Sequence, residues 1–267
     1  MAFVAFNSIT EHAEEFGLIA GPSGPHSSRT MTLDDLRSLL DSVPADAEFA
    51  DYQRAVIDEN LLGKSTESNR RGSLRRLREL YSLDRTTPLF RVFRTLWEKD
   101  SESASLLAFL VAYARDPLLR ATASAVLITG EGSELVRQSV CKAIDDFTDG
   151  RMNESTIDKV ARNASSSWSQ AGHLVGRVRK VRTRVEATPV SVAFALLLGY
   201  VMGLRGKPLL RSEFIAVLDA PEDIALARSI DARRLGLITL RESQDVFDVG
   251  FGPMLTDREL RIANGTN

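Results

Sequence analysis

The chain has 267 residues, 43% of them apolar and 26% charged. That is enough for one large or two smaller domains, and it excludes wholesale disorder. The net charge of −2 excludes a molecule that binds polyanions over its whole surface, and the single Cys141 excludes an internal disulfide framework. Residues 1–10 lack a basic run followed by an apolar core, so no signal peptide is expected and the chain reads as cytoplasmic.

Charge is unevenly distributed. Before position 60 the acids dominate, Glu11, Glu14, Glu15, Asp34, Asp35 and Asp41 among them, whereas from Lys64 to Lys99 the sign reverses. Such asymmetry points to nucleic-acid contact. Residues 21–28, Gly-Pro-Ser-Gly-Pro-His-Ser-Ser, read as a flexible tract that sets off an N-terminal extension, 1–29. Thr32, with Asp35 three residues on, resembles a capping box opening a helix through Leu33, Leu36 and Leu40. A second helix is predicted over 47–59, with Phe49, Tyr52 and Val56 on one face, and the break at Leu61-Leu62-Gly63-Lys64 leads into an arginine-rich helix over 65–81.

Thr87-Pro88, Asp116-Pro117 and Thr188-Pro189 each place proline at the first helical position, opening helices over 88–99, 117–129 and 189–204. Further helices are predicted over 102–115, 134–147 and 155–170, the last ending at Gly172. The turn at 149–153 is the best domain boundary, dividing a 30–150 helical domain from a 151–252 domain and a 253–267 tail. Residues 173–185 read as a strand with Val181, Thr183 and Val185 on one face and Arg182 and Arg184 on the other. Helices over 189–204, 208–218 and 221–234 precede a hairpin, 237–240 and 246–249 around the polar turn 241–245, which is the order of a winged helix. The fold class expected is mainly α: a helical bundle with helix-turn-helix or winged-helix-like units and one or two short β-hairpins. The apolar segment 190–204 is too short and too interrupted by Gly199 and Gly203 to cross a bilayer, so no membrane partner is expected.

On the 65–81 helix, Arg71, Arg75 and Arg78 fall within an arc of about 60° and form a stripe about 11 Å long. Lys64, Ser65 and Arg70 lie at its N-terminal approach, where a recognition helix meets phosphates and base edges. Glu79 can pair with Arg75 or Arg76 but cannot neutralise the whole cluster. A second basic element, Arg177, Arg179, Lys180, Arg182 and Arg184, contains no acid and suits either a wing tracking the backbone or an edge strand guarded by charge. The candidate recognition helix of the C-terminal winged helix is nearly neutral and is a poorer partner for a groove. His12, His26 and His173 are scattered without metal-ligand spacing, and no phosphate-loop or dinucleotide fingerprint is present. His173 reads as a helix terminator and Cys141 as a buried apolar residue. Neither an enzyme nor a cofactor is expected.

The run Glu59-Asn60-Leu61-Leu62-Gly63-Lys64-Ser65-Thr66-Glu67-Ser68-Asn69-Arg70-Arg71, continuing through Leu74-Arg75-Arg76-Leu77-Arg78-Glu79-Leu80-Tyr81, resembles the signature of the BrxA family. BrxA is the small helical component of bacteriophage exclusion (BREX) defence systems. Asn153-Glu154-Ser155-Thr156, opening a helix that ends before Ala171-Gly172, and the closing segment 235–251 are similar to that family's second half. The resemblance covers about residues 30–252. It implies a helical, non-enzymatic protein with winged-helix-like parts that binds DNA within an anti-phage system, and the basic helix and strand point to double-stranded DNA contacted through its phosphates with little sequence specificity. Two alternatives stay open: a protein-interaction scaffold contacting other subunits of the same complex, and an RNA-binding regulator.

Overall fold

Local start signals set most of the helices. The computed structural model describes residues 9–243 and 246–266. In chain order come α1 (Glu11–Phe16), α2 (Leu33–Ser42), α3 (Phe49–Gln53), α4 (Glu67–Tyr81), α5 (Pro88–Lys99), α6 (Ala104–Arg115), α7 (Pro117–Ala121), α8 (Ala123–Ile128), α9 (Arg137–Thr148) and α10 (Glu154–Gln170). The strands β1 (Leu174–Val175) and β2 (Val181–Arg182) follow, then α11 (Pro189–Val201), α12 (Glu213–Ala216), α13 (Glu222–Arg234), β3 (Thr239–Ser243), β4 (Val246–Gly250) and α14 (Asp257–Asn264). The fold is mainly α with two small antiparallel sheets.

Two helices apolar on every side form the centre. In α6 the residues from Leu106 to Ala114 are all buried, and α11 is buried from Val190 to Gly199. A helix without a polar face belongs inside, and α6 is enclosed by α4, α5, α7, α10 and α11. Among the described residues no helix is long and apolar enough to cross a membrane. The buried apolar side chains run as one continuous cluster from Ala13 to Ala263. The turn at 149–153 is sharp, with Asp149 and Gly150 both at positive φ, but the same core lies on both sides of it.

Several expectations need correction. The 21–28 tract is anchored rather than a free spacer: Pro25–Ser27 forms a 3-10 turn and His26 is fully buried. Thr32 does not cap α2; its backbone is left-handed at φ 49° and its side chain accepts no capping bond. The 47–59 helix changes pitch, continuing from α3 as a π-helical turn, Arg54–Asp58. The 117–129 helix breaks at Thr122, whose hydroxyl donates back to the Leu119 carbonyl and accepts from Trp168 Nε1. The 208–218 helix is a 3-10 turn, Lys207–Arg211, restarted by the Ser212 cap as the four-residue α12. In the tail, a Thr256–Glu259 capping box starts α14, which packs on α1 and α11, while Arg91 Nη2 lies 2.6 Å from Glu259 Oε2.

The strand expected over 173–185 is a short hairpin instead, with Leu174 opposite Arg182 and Val175 opposite Val181. Gly176 makes the turn at φ 97°, where a Cβ would sit 2.1 Å from the Arg179 carbonyl oxygen. On its other side β2 receives the 132–135 segment, with Leu135 N donating to Lys180 O at 2.7 Å and Arg182 N to Ser133 O at 2.9 Å. The second hairpin pairs Thr239 with Gly250 through Ser243 with Val246, so Arg241, Glu242 and Ser243 belong to a strand. The rest of the expected turn, Gln244 and Asp245, lies outside the described residues, as do residues 1–8 of the segment read for a signal peptide.

Candidate nucleic-acid interface

The helix α4 starts where Thr66 accepts a hydrogen bond from Asn69 N at 3.2 Å and ends at Ser82 and Leu83, both at positive φ. Its inner face is Ser73, Leu74, Leu77, Leu80 and Tyr81. The Tyr81 hydroxyl donates to the Met31 carbonyl at 2.7 Å. The opposite face exposes Arg71, Arg75 and Arg78, as the helical spacing requires. Arg71 Nη2 lies 2.6 Å from Glu67 Oε1, Arg75 Nε 3.8 Å from Glu79 Oε1, and the Arg78 guanidinium 4.0 Å from the centre of the Phe49 ring. Two acids therefore attend the stripe, Glu67 as well as Glu79, and helical spacing places both. Both pairs are solvent-exposed i,i+4 contacts, which contribute little and yield readily to a competing anion.

Two of the flanking residues are turned elsewhere. Arg70 Nη1 donates to the Ile57 carbonyl at 2.6 Å and its Nε is buried without a partner. The reason is angular: one residue before Arg71 lies about 100° around the helix, towards the buried face. Arg70 thus ties α4 to the π-helical turn and is corrected from a phosphate contact to a structural one. Lys64 Nζ lies 2.8 Å from Asp35 Oδ1, so α2 neutralises it. Ser65 stays exposed beside it.

The second basic element is likewise attended by acids the sequence could not place. Arg179 Nε lies 3.6 Å from Glu134 Oε2 and Arg184 Nε 3.5 Å from Glu131 Oε2, because the 131–134 turn pairs alongside β2. Arg182 is not a surface cation at all. Its guanidinium is buried, pairs with Asp219 and donates to the His173 and Thr183 carbonyls. Lys180 Nζ donates to Ser169 Oγ at 2.9 Å. Arg177 is exposed, and among the described residues nothing pairs with it.

Arg177 and Lys180 nevertheless line a groove of about 850 Å³ between the hairpin tip, the 134–138 segment and α10. Arg137 and Arg162 join them there, whereas Glu134 is the one acid in the lining. Of these, Arg137 is paired with Asp158 at 2.6 Å. Neither Arg137 nor Arg162 stood out in the sequence, since each sits on a mixed helix face and only the packing of α9 on α10 brings them together. The 29–33 segment connects this region to α4: Met31 N donates to Ser167 Oγ and Leu33 N to Gln170 Oε1, both on α10, while Met31 O accepts from Tyr81.

By contrast, α13 is covered in ion pairs. Arg211 meets Glu222 at 2.6 Å, and Arg228 and Arg234 share Asp231.

One buried constellation has the residue types of a nucleophilic triad. His26 Nδ1 lies 2.6 Å from Asp116 Oδ2, and His26 Nε2 2.7 Å from Ser167 Oγ. All three side chains are fully buried, and the Ser167 oxygen is further engaged by Met31 N and the Asn163 carbonyl. No substrate can reach it. Asp116 also caps α7 through Leu118 N and Leu119 N. Burial alone would raise the Asp116 carboxyl, but the adjacent His26 and the capping amides hold it below the usual carboxylate range. The network pins residues 24–31 to α7 and α10.

His173 follows α10, as a terminator would, but it is also a core residue, caged by Phe109 and Trp168 with Nε2 2.7 Å from the Val217 carbonyl. Cys141 is half-buried, its thiol pushed up by burial and by Asp158. Among the described residues no group of His, Cys, Asp or Glu side chains could hold a metal ion. No protein-family model matches the chain and no curated protein matches its sequence, so the resemblance to BrxA rests on segments 59–81, 153–172 and 235–251.

Proposed function

We propose that this protein binds duplex DNA through its phosphates and performs no chemistry on it, acting as an accessory component of an anti-phage system of the BREX type. The observation that carries the proposal is the outer face of α4, where Arg71, Arg75 and Arg78 project into solvent against only two exposed intrahelical carboxylates. Phosphate oxygens can displace such partners at small cost. The cationic groove beside the hairpin supplies a second, sequence-independent contact through Arg162, Arg177 and Lys180. On this reading, α4 bears the main contact and Arg70 and Arg182 hold the scaffold.

Fluorescence-anisotropy titration of a short labelled duplex tests it. Arg71→Gln, Arg75→Gln and Arg78→Gln together should weaken binding roughly tenfold or more at moderate salt, with the helical circular-dichroism spectrum unchanged. Equal affinity in the triple variant would overturn the proposal.

A protein-facing role is favoured separately at the C-terminal end. There the ion-paired α13 carries exposed Ile224 and is followed by exposed Leu235 and Val246, a surface suited to a subunit rather than to a polyanion.

A further inference from the structure

Between the 29–33 segment, the start of α2 and the inner flank of α4 lies a cleft of about 380 Å³. Three cations line it, Arg29, Lys64 and Arg76, against one acid, Asp35. Lys64 already holds Asp35 at 2.8 Å, so Arg29 and Arg76 remain. Among the described residues neither has a hydrogen-bonded or ion-paired side-chain partner. Ser65, Asn69 and Ser73 add short hydroxyl and amide donors to the same wall.

Gly72 leaves room for this placement of Arg76. Its Nη1 lies 3.2 Å from the point where a Cβ on Gly72 would stand, so the guanidinium folds back over the preceding turn of α4 towards Asn69 and Ser65. Glycine within a helix is less favourable than alanine. Thr32, across the cleft, has its backbone at φ 49°, a strained conformation for a β-branched residue. Burial, the facing Arg29 charge and Arg75 hold the Arg76 guanidinium below the ordinary arginine range, against the smaller opposing pull of Glu79 and Asp35.

We propose that this cleft binds one phosphoryl group, with Arg29 and Arg76 as its charged clamp and the Ser65, Asn69 and Ser73 side chains as further donors. Two unpartnered guanidiniums match the charge of a phosphate dianion, and planar arginine forks suit its oxygens. The site stands apart from the outer face of α4: Arg76 lies about 100° around the helix from Arg75. Its ligand is either a free phosphate-bearing small molecule or a phosphate of a nucleic-acid strand laid across the 29–33 segment.

The test is a thermal-shift and calorimetric titration with inorganic phosphate, chloride being exchanged to keep ionic strength constant. Saturable one-to-one binding with an upward Tm shift is expected. Arg29→Gln and Arg76→Gln should each weaken it about tenfold or more, the range for losing a charge-assisted hydrogen bond, while Arg75→Gln should respond like the parent. Removing one of two opposed cations should leave the phosphate-free protein at least as stable as the parent, so loss of response is not loss of fold. Gly72→Ala should raise stability and weaken phosphate together, an opposite pairing that a purely structural role for Arg76 does not produce.

Absence of saturable binding, or parent-like response in both Arg29→Gln and Arg76→Gln, overturns the proposal. The source is then identified by competition. Displacement of duplex by phosphate in the parent but not in Arg76→Gln assigns the site to a strand phosphate, and no displacement assigns it to a free ligand. Because the titration contains no DNA, it can succeed or fail independently of the duplex-binding reading.

Discussion

Lowering the pH from 7 to 4.5 should destabilise this protein through His173, by an amount the structure allows to be worked out. The imidazole is fully buried, ringed by Phe109 and Trp168, with Nε2 on the Val217 carbonyl and Nδ1 facing no acceptor. Burial pushes its pKa down from 6.5 to about 4, and Arg182 adds to this against the opposing pull of Asp219. The folded state therefore binds a proton less readily than the unfolded chain. Between those two values the unfolded state carries more protons, so stability falls as pH drops from about 6.5 and levels off near pH 4. Linkage over pH 7 to 4.5 gives a loss of about 2 kcal/mol from this one group. Urea denaturation of the parent and of His173→Gln, at both pH values, isolates it. The parent should lose about 2 kcal/mol more than the variant, whatever the carboxylates contribute to both. Parallel losses in the two proteins would refute the reasoning.

Two further substitutions separate scaffold from surface. His26→Ala leaves Asp116 as a buried charge without its main partner and frees the 24–31 segment, so it should cost about 3–5 kcal/mol in chemical denaturation. A loss below about 1 kcal/mol would mean that the segment is not anchored through this pair. Arg182→Ala strands Asp219 in the same way and should cost about 3–5 kcal/mol, yet leave the salt dependence of duplex binding unchanged in the folded fraction. A shallower salt slope in that variant would return Arg182 to the interface.

What could be read from the sequence was what is local. The proline at the first helical position marks α5, α7 and α11 because proline's fixed φ and missing donor suit that site regardless of what packs nearby. The stripe of Arg71, Arg75 and Arg78 follows from helical spacing alone. Hidden from the sequence were partnerships across long chain separations. His26 meets Asp116 90 residues away and Ser167 141 residues away, turning a Gly/Pro-rich tract from spacer to anchor. Arg182 lies in a run of cations, 177–184, that contains no acid, and only the fold delivers Asp219 to it. Arg70 reads as a phosphate contact at the N-terminal approach of α4, although its place about 100° around the helix from Arg71 turns it onto the scaffold. The cleft of Arg29 and Arg76 joins a residue from the acidic first third to one from the basic helix.

The most direct test of the duplex-binding account is the slope of log K against log salt concentration for the parent and for the Arg71, Arg75 and Arg78 triple variant. Each phosphate that the variant no longer neutralises should lessen the slope by about 0.9, so its slope should be shallower by about 2 to 3. Identical slopes would show that the outer face of α4 touches no phosphate and would contradict the account.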